Sequence, residues 1–182
     1  MTELTLFTVG HSNRTLAQLT DLLRGARVKI LIDVRAYPVS ARLPHFSSDS
    51  IRAAMDSIGI TYHWAGRALG GMRKPHPESR HLALDVQGLR GYADYMETRE
   101  FETAVRQLAA LAGRGRTALL CAERQPEHCH RSLIADYLVL NGALVVHLID
   151  FAEQRVHRLR PEARRESATL IYDRHCSFSL NL

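Results

Sequence analysis

Short apolar runs alternate with amphipathic helical stretches along most of this chain, and that alternation restricts its fold more than anything else. LTLFTVG (4–10) is β-rich and ends on Gly10, and VKILIDV (28–34) is a continuous apolar run of the kind a strand buried on both faces shows. ITYHWAG (60–66), RTALLC (116–121) and ALVVHLI (143–149) supply three more strands. Between the runs, TLAQLTDLLRGA (15–26) places Leu16, Leu19, Leu22 and Leu23 on one helical face, with Thr15 as cap and Gly25 near the end. SSDSIRAAMDSIG (47–59) and RSLIADYLVLNG (131–142) read as further helices, and GYADYMETREFETAVRQLAALAG (91–113) as two helical pieces meeting near Thr98. Strands and helices in this order predict an α/β fold, a three-layer sandwich whose mostly parallel sheet of about five strands carries helices on both faces.

The 182 residues fit a single domain, 1–182. Its regular core runs over 6–149, followed by a charged C-terminal extension, 150–182, in which ATLIY (168–172) is expected to add an edge strand. Arg67 to Arg90 breaks the pattern with Gly70-Gly71, Pro75 and Pro77, and reads as a long irregular excursion. No window approaches the roughly 18 apolar residues of a membrane span, and the N-terminus lacks the basic and apolar regions of a signal peptide. The three cysteines, Cys121, Cys129 and Cys176, are too few and odd in number for a disulfide framework, which fits a reducing, cytoplasmic setting. A net charge of +5 is compatible with a phosphorylated small molecule or nucleic acid as partner, and equally with solvated surface.

In open parallel sheets, ligands bind beyond the carboxyl ends of the strands. Past the first strand come His11, Ser12 and Asn13; past the second, Asp33, Arg35, Tyr37, Ser40 and Arg42. The fourth ends at Cys121 and leads into Glu123, His128, Cys129, His130 and Arg131. One sheet edge thus gathers His, Asn, Asp, Arg, Cys and Glu from separate strands. Each has a plain alternative: a polar turn capping the first helix for 11–13, an internal Asp33–Arg35 ion pair, a tight turn at Gly70-Gly71. Tyr92 and Tyr95, three apart beyond Arg90, suit core packing as well as base stacking.

LLCAERQPEHCHRSLIADYL (119–138) concentrates the question. Compact zinc pairs are absent, because Cys121 and Cys129 stand eight apart, so no metal or cofactor is predicted. A site built by Cys121, Cys129 and His130 is the one metal alternative. A thiol nucleophile is a second reading, since a cysteine at a helix start beside Arg131 gains thiolate character. The phosphatase pattern fails, with Ala135 where its arginine belongs. LIDVR (31–35) is similar to a rhodanese strand, but ten residues separate Cys121 from Arg131, more than that compact cradle holds. A third reading is an anion site at the helix N-terminus, with Arg35 and Arg131 clamping phosphate and Glu123 with His11 or His130 moving protons. A fourth is structural, a buried Cys121 with His130 capping the helix.

TVGHSNR (8–14), LIDVRAYPVSAR (31–42), LGG (69–71), RGYADYM (90–96) and LLCAERQPEHCHRSLIAD (119–136) together resemble the bacterial and archaeal family called domain of unknown function 488. The resemblance covers about 6–149. It marks His11, Ser12, Asn13, Asp33, Arg35, Arg90, Gly91, Tyr92, Cys121, Glu123, Cys129, His130 and Arg131 as motif positions and implies a compact α/β sandwich. It brings no established reaction, although some members carry a loose DNA-repair label. The expected catalytic set is His11, Asp33, Glu123, His130, Cys121 and Cys129, and the expected substrate-binding set is Ser12, Asn13, Arg35, Arg42, Arg90, Tyr92 and Arg131. The leading expectation is an enzyme acting on a nucleotide or nucleic acid. A cysteine-dependent redox or sulfur-transfer enzyme and a non-catalytic nucleic-acid-binding module are the alternatives.

Overall fold

The computed structural model describes residues 4–39 and 42–174. Ser40 and Cys176 lie outside the described residues. Five parallel strands form the sheet: β1 (Thr5–Gly10), β2 (Ile30–Asp33), β3 (Thr61–Trp64), β4 (Thr117–Cys121) and β5 (Leu144–Leu148). β6 (Gln154–Val156) adds a sixth, antiparallel to β5, and the order across the sheet is β3-β2-β4-β1-β5-β6. The helices are α1 (Leu16–Gly25), α2 (Ser48–Ser57), α3 (Gly66–Leu69), α4 (Gln87–Met96), α5 (Arg99–Ala112) and α6 (Arg131–Leu140).

Period-two alternation divides the apolar residues between the two faces of the sheet. Ala118 and Leu120 of β4 join Phe7 and Val9 under Leu19, Leu22 and Leu23 of α1 and Ile51 and Met55 of α2. Leu119 and Cys121 face the other way, into a core with Tyr92 of α4, Phe101 and Leu108 of α5, and Leu133 and Ile134 of α6. The three layers follow directly: two helices, the sheet, then the remaining long helices. Local signals set the boundaries. Thr15 and Gln18 form a reciprocal capping box on α1. Thr98 accepts the Phe101 N–H at 3.3 Å, so α4 and α5 part where the sequence placed the break.

The tail differs from its expectation. Thr169–Tyr172 is β8, which pairs with β7 (Ala163–Glu166) in a separate hairpin and does not extend the main sheet. The edge position goes to Gln154–Val156, three exposed residues with no apolar pattern to announce them. The excursion over 67–90 is shorter than its composition suggests. α3 occupies its start, and α4 begins at Gln87, four residues before the expected Gly91. Among the described residues, no helix is long and apolar enough to cross a membrane.

Topology also fixes where a site can sit. β1 and β4 are neighbours, yet α1 after β1 packs on one face while α6 after β4 packs on the other. Adjacent strands whose chains depart to opposite faces leave a crevice beyond their carboxyl ends.

Candidate functional site

Backbone hydrogen bonds between the chains leaving β1 and β4 frame one side of the crevice. His11 N–H donates to the Cys121 carbonyl at 2.9 Å and Ser12 N–H to the Ala122 carbonyl at 2.7 Å, carrying the β1–β4 pairing past the sheet. Gly10 is required there, because a β-carbon would fall 1.7 Å from the Glu123 carbonyl oxygen. Ser12 turns the chain with a φ of 48°, and α1 then starts under its Thr15 cap, so residues 11–13 do not cap the helix.

A cleft of about 520 Å³ opens at this edge. Of the residues expected in the site, it is lined by His11, Arg35, Cys121, Glu123, Cys129 and His130, together with His128. Cys121 comes from the end of β4 and Cys129 from the turn before α6, and their sulfurs lie 2.8 Å apart. His130 Nδ1 is 3.8 Å from the Cys121 sulfur and 3.7 Å from that of Cys129. The other ring nitrogen, Nε2, lies 3.1 Å from the Val34 carbonyl oxygen. A carbonyl can only accept, so Nε2 carries a hydrogen, and in the neutral imidazole Nδ1 turns its lone pair to the sulfurs. Tyr92 packs against that imidazole with ring centroids 4.9 Å apart. Gly71 covers it so closely that a β-carbon would come within 2.8 Å of Nδ1.

The environment separates the two thiols. Its hydrogen bond with Cys129, then burial, holds the Cys121 thiol well above its ordinary pKa. Burial also pushes Cys129 up, but the Cys121 hydrogen bond and the charge and N–H of Arg131 outweigh it, so Cys129 is lowered overall. Of the two sulfurs, Cys129 is therefore the more acidic and Cys121 the less. His11 is lowered to about 4, first by burial, against the opposing hydrogen bond to the Ser12 carbonyl. It is neutral at pH 7.

The expected phosphate clamps are committed elsewhere. Arg35 donates to both Asp33 oxygens, at 2.9 and 2.5 Å, and to the Phe46 carbonyl at 2.8 Å. Tyr62 takes a further share of the same carboxylate at 2.8 Å. Asp33 and Arg35 are thus a buried ion pair that braces the loop after β2, and no Asp33 oxygen faces a ligand. Arg131 is fully buried and donates to the carbonyls of Glu123 and Arg124, tying the loop after β4 to α6. The first turn of α6 is occupied as well, since Ser132 N–H donates to the Cys129 carbonyl at 2.9 Å. His130 is the N-cap residue but makes no side-chain cap bond.

Other expected residues stand outside the cleft. Arg90 reaches back to the Leu84 and Leu82 carbonyls. Tyr92 is buried, with its hydroxyl donating to the Leu69 carbonyl at 2.9 Å, so it supports His130 and cannot stack on a base. Asn13 borders a separate small cavity with Arg14 and Arg124, Ser12 reaches only toward Asn13, and Arg42 is exposed and does not line the cleft. Sequence reasoning missed the apolar wall. Tyr37, Val39, Met72 and Val86 line the cleft at 74, 71, 82 and 59% exposure. Large apolar residues inside Gly- and Pro-rich loops, which have no core to fill, were the available signal.

A larger cavity of about 770 Å³ lies against β6 and the chain that follows it, bordered by His147, His157 and Arg160. Its histidines are already saturated. Thr8 Oγ1 and His147 Nδ1 are 2.7 Å apart, His147 Nε2 and His157 Nδ1 2.8 Å, and His157 Nε2 and Asp136 Oδ1 2.8 Å. The Tyr172 hydroxyl donates to the other Asp136 oxygen at 3.0 Å. A carboxylate only accepts, so every donor in the chain points toward Asp136 and every ring nitrogen has a partner. Chemistry, more than volume, selects the smaller cleft.

A doubly wound α/β protein with a two-cysteine, one-histidine cluster at its topological switch point is the class that fold and cleft define. The chain belongs to the family described as domain of unknown function DUF488, whose model matches residues 15–138. That span holds every cluster residue and leaves out His11. No curated protein and no solved structure matches the chain.

Proposed function

We propose that the protein is a cysteine-dependent redox enzyme that reduces a disulfide substrate bound in the cleft. One observation carries the reading: two free thiols eight positions apart in the chain meet at 2.8 Å on the cleft floor, one more disposed to thiolate than the other. The Cys129 thiolate attacks one substrate sulfur, and the other sulfur leaves as a thiolate that takes the proton given up by Cys121. The Cys121 sulfur then attacks Cys129 Sγ and expels the second substrate thiolate, which is protonated from solvent. Two electrons pass from the dithiol to the substrate, leaving a Cys121–Cys129 disulfide, and an external thiol returns the pair to its starting state. The apolar wall suits the organic part of such a substrate.

The nucleotide or nucleic-acid reading has less support. Arg35 and both terminal nitrogens of Arg131 donate within the protein, and the unpaired Arg131 Nε is buried, which leaves a phosphate little to bind.

Reduced protein mixed with a small aromatic disulfide tests the proposal. Wild type should release two thiols per disulfide consumed and yield a Cys121–Cys129 linked peptide on mass mapping. Cys121→Ser should stop after one thiol, with the probe held on Cys129. Probe on neither cysteine, or no linked peptide, overturns the assignment.

A further inference from the structure

The geometry points to a second use of the same three side chains: Cys121, Cys129 and His130 form a binding site for a thiophilic divalent cation, zinc in the first instance, with one coordination position left open to the cleft. The inference does not depend on disulfide chemistry. It starts from the convergence of three ligand atoms, two sulfurs and Nδ1, all within 4.8 Å of one another. Zinc binds thiolate sulfur at ~2.3 Å and imidazole nitrogen at ~2.0–2.1 Å, so a tetrahedral ion spaces two sulfurs by roughly 3.8 Å and a sulfur from a nitrogen by roughly 3.5 Å. The two sulfur–nitrogen separations, 3.8 and 3.7 Å, are close to that spacing. Only the sulfur pair, at 2.8 Å, has to open, by about 1 Å.

The surroundings support the same assignment. A metal-ligating histidine characteristically donates its remote N–H to a carbonyl or carboxylate, which fixes the tautomer and aims the lone pair. His130 has that arrangement, with Nε2 3.1 Å from the Val34 carbonyl oxygen. Tyr92 and Gly71 pack on the ring and hold its orientation. Two soft sulfurs and one imidazole select zinc-like over magnesium- or calcium-like ions. Two thiolates neutralise a divalent ion, so the buried site carries no large net charge when filled. Three protein ligands, with His11 and Glu123 on the cleft wall, leave room for a fourth ligand from solvent or substrate. A filled site occupies both sulfurs and therefore blocks the disulfide, so metal occupancy would switch the dithiol off.

Full-length protein without a histidine tag, reduced and stripped with a chelator, is titrated with cobalt(II) and then with zinc. Wild type should saturate at one cobalt per chain, with sulfur-to-cobalt charge transfer in the near ultraviolet and the strong visible bands of a tetrahedral ion, and zinc should displace it. His130→Gln should keep the charge transfer but bind at least about 10-fold more weakly. Cys121→Ser/Cys129→Ser should lose the charge transfer while its circular dichroism stays that of wild type. An absent or non-saturating signal in wild type, or an equal signal in the double variant, overturns the metal site and leaves the disulfide assay standing. Saturable cobalt binding with no disulfide exchange in metal-free protein does the reverse.

Discussion

Two buried polar clusters lie at different places on one sheet, and they are built in opposite ways. The chain Thr8–His147–His157–Asp136–Tyr172 is closed: each nitrogen and oxygen has a partner, and the C-terminal hairpin supplies the last donor. The Cys121–Cys129–His130 cluster is open: two sulfurs and one imidazole nitrogen face one another without a strong donor or acceptor from elsewhere in the protein, and a cleft lies in front. A satisfied network adds rigidity and stability, whereas an under-satisfied one beside a cleft keeps bonding capacity for something else. Both are rich in titratable groups, so residue type alone does not separate structure from chemistry. Satisfaction of the groups does.

Perturbing each cluster should therefore move different observables. Asp136→Ala removes the acceptor for His157, Tyr172 and the Arg160 N–H at once, and should lower unfolding free energy by about 3–5 kcal/mol in urea titration. Thiol reactivity of the protein that remains folded should be unchanged. A loss under about 1 kcal/mol would mean that the chain is not the stabilising element drawn here.

Acidification should act next, on His147 of the closed chain and on His11 at the cleft. His147 is lowered to about 3, first by burial and then by His157, and His11 to about 4. Below the ordinary histidine value the unfolded chain takes up protons that the native state refuses. Their contribution is thus fully present above about pH 6.5 and falls as pH drops towards 4. Between about pH 7 and pH 5 the pair should remove roughly 2–4 kcal/mol. His147→Gln should remove about half of that dependence, and an unchanged slope would reassign the acid sensitivity to other groups.

Cys129→Ser should cost only about 1 kcal/mol in the same titration, because it exchanges one small buried group for another. Disulfide exchange should nevertheless be lost. Equal loss of stability in Cys129→Ser and Asp136→Ala would erase the distinction between the clusters. The smallest effect is expected at the apolar wall: Tyr37→Ser should change stability by less than about 0.5 kcal/mol, since the side chain is 74% exposed. It should raise the KM for an aromatic disulfide and leave kcat near wild type.

Much of the open cluster was legible from the chain. Gly10 and Cys121 end apolar runs, and RSLIADYL opens a helix, so His11, Cys121 and His130 could be assigned to one sheet edge before any coordinates. The separation of roles was not legible. Arg35 and Arg131 look like anion clamps in a string of letters, but Asp33, Phe46 and the Glu123 and Arg124 carbonyls take most of their donors, and Arg131 Nε is buried. The closed chain was invisible for a different reason. Thr8, Asp136, His147, His157 and Tyr172 come from five separated segments, and no local spacing links them.

What the sequence determined by itself is the succession of strands and helices, because period-two and helical apolar patterns and caps such as Thr15 and Thr98 act over a few residues. The sheet edge that gathers the polar residues follows from that succession. Tertiary structure alone decided that two cysteines eight positions apart touch, that His130 turns Nδ1 toward them, and that the tail forms a hairpin over Asp136. Those outcomes depend on strand order, on the two faces from which α1 and α6 depart, and on which carbonyl each donor reaches. They are long-range conditions that no short window of sequence contains.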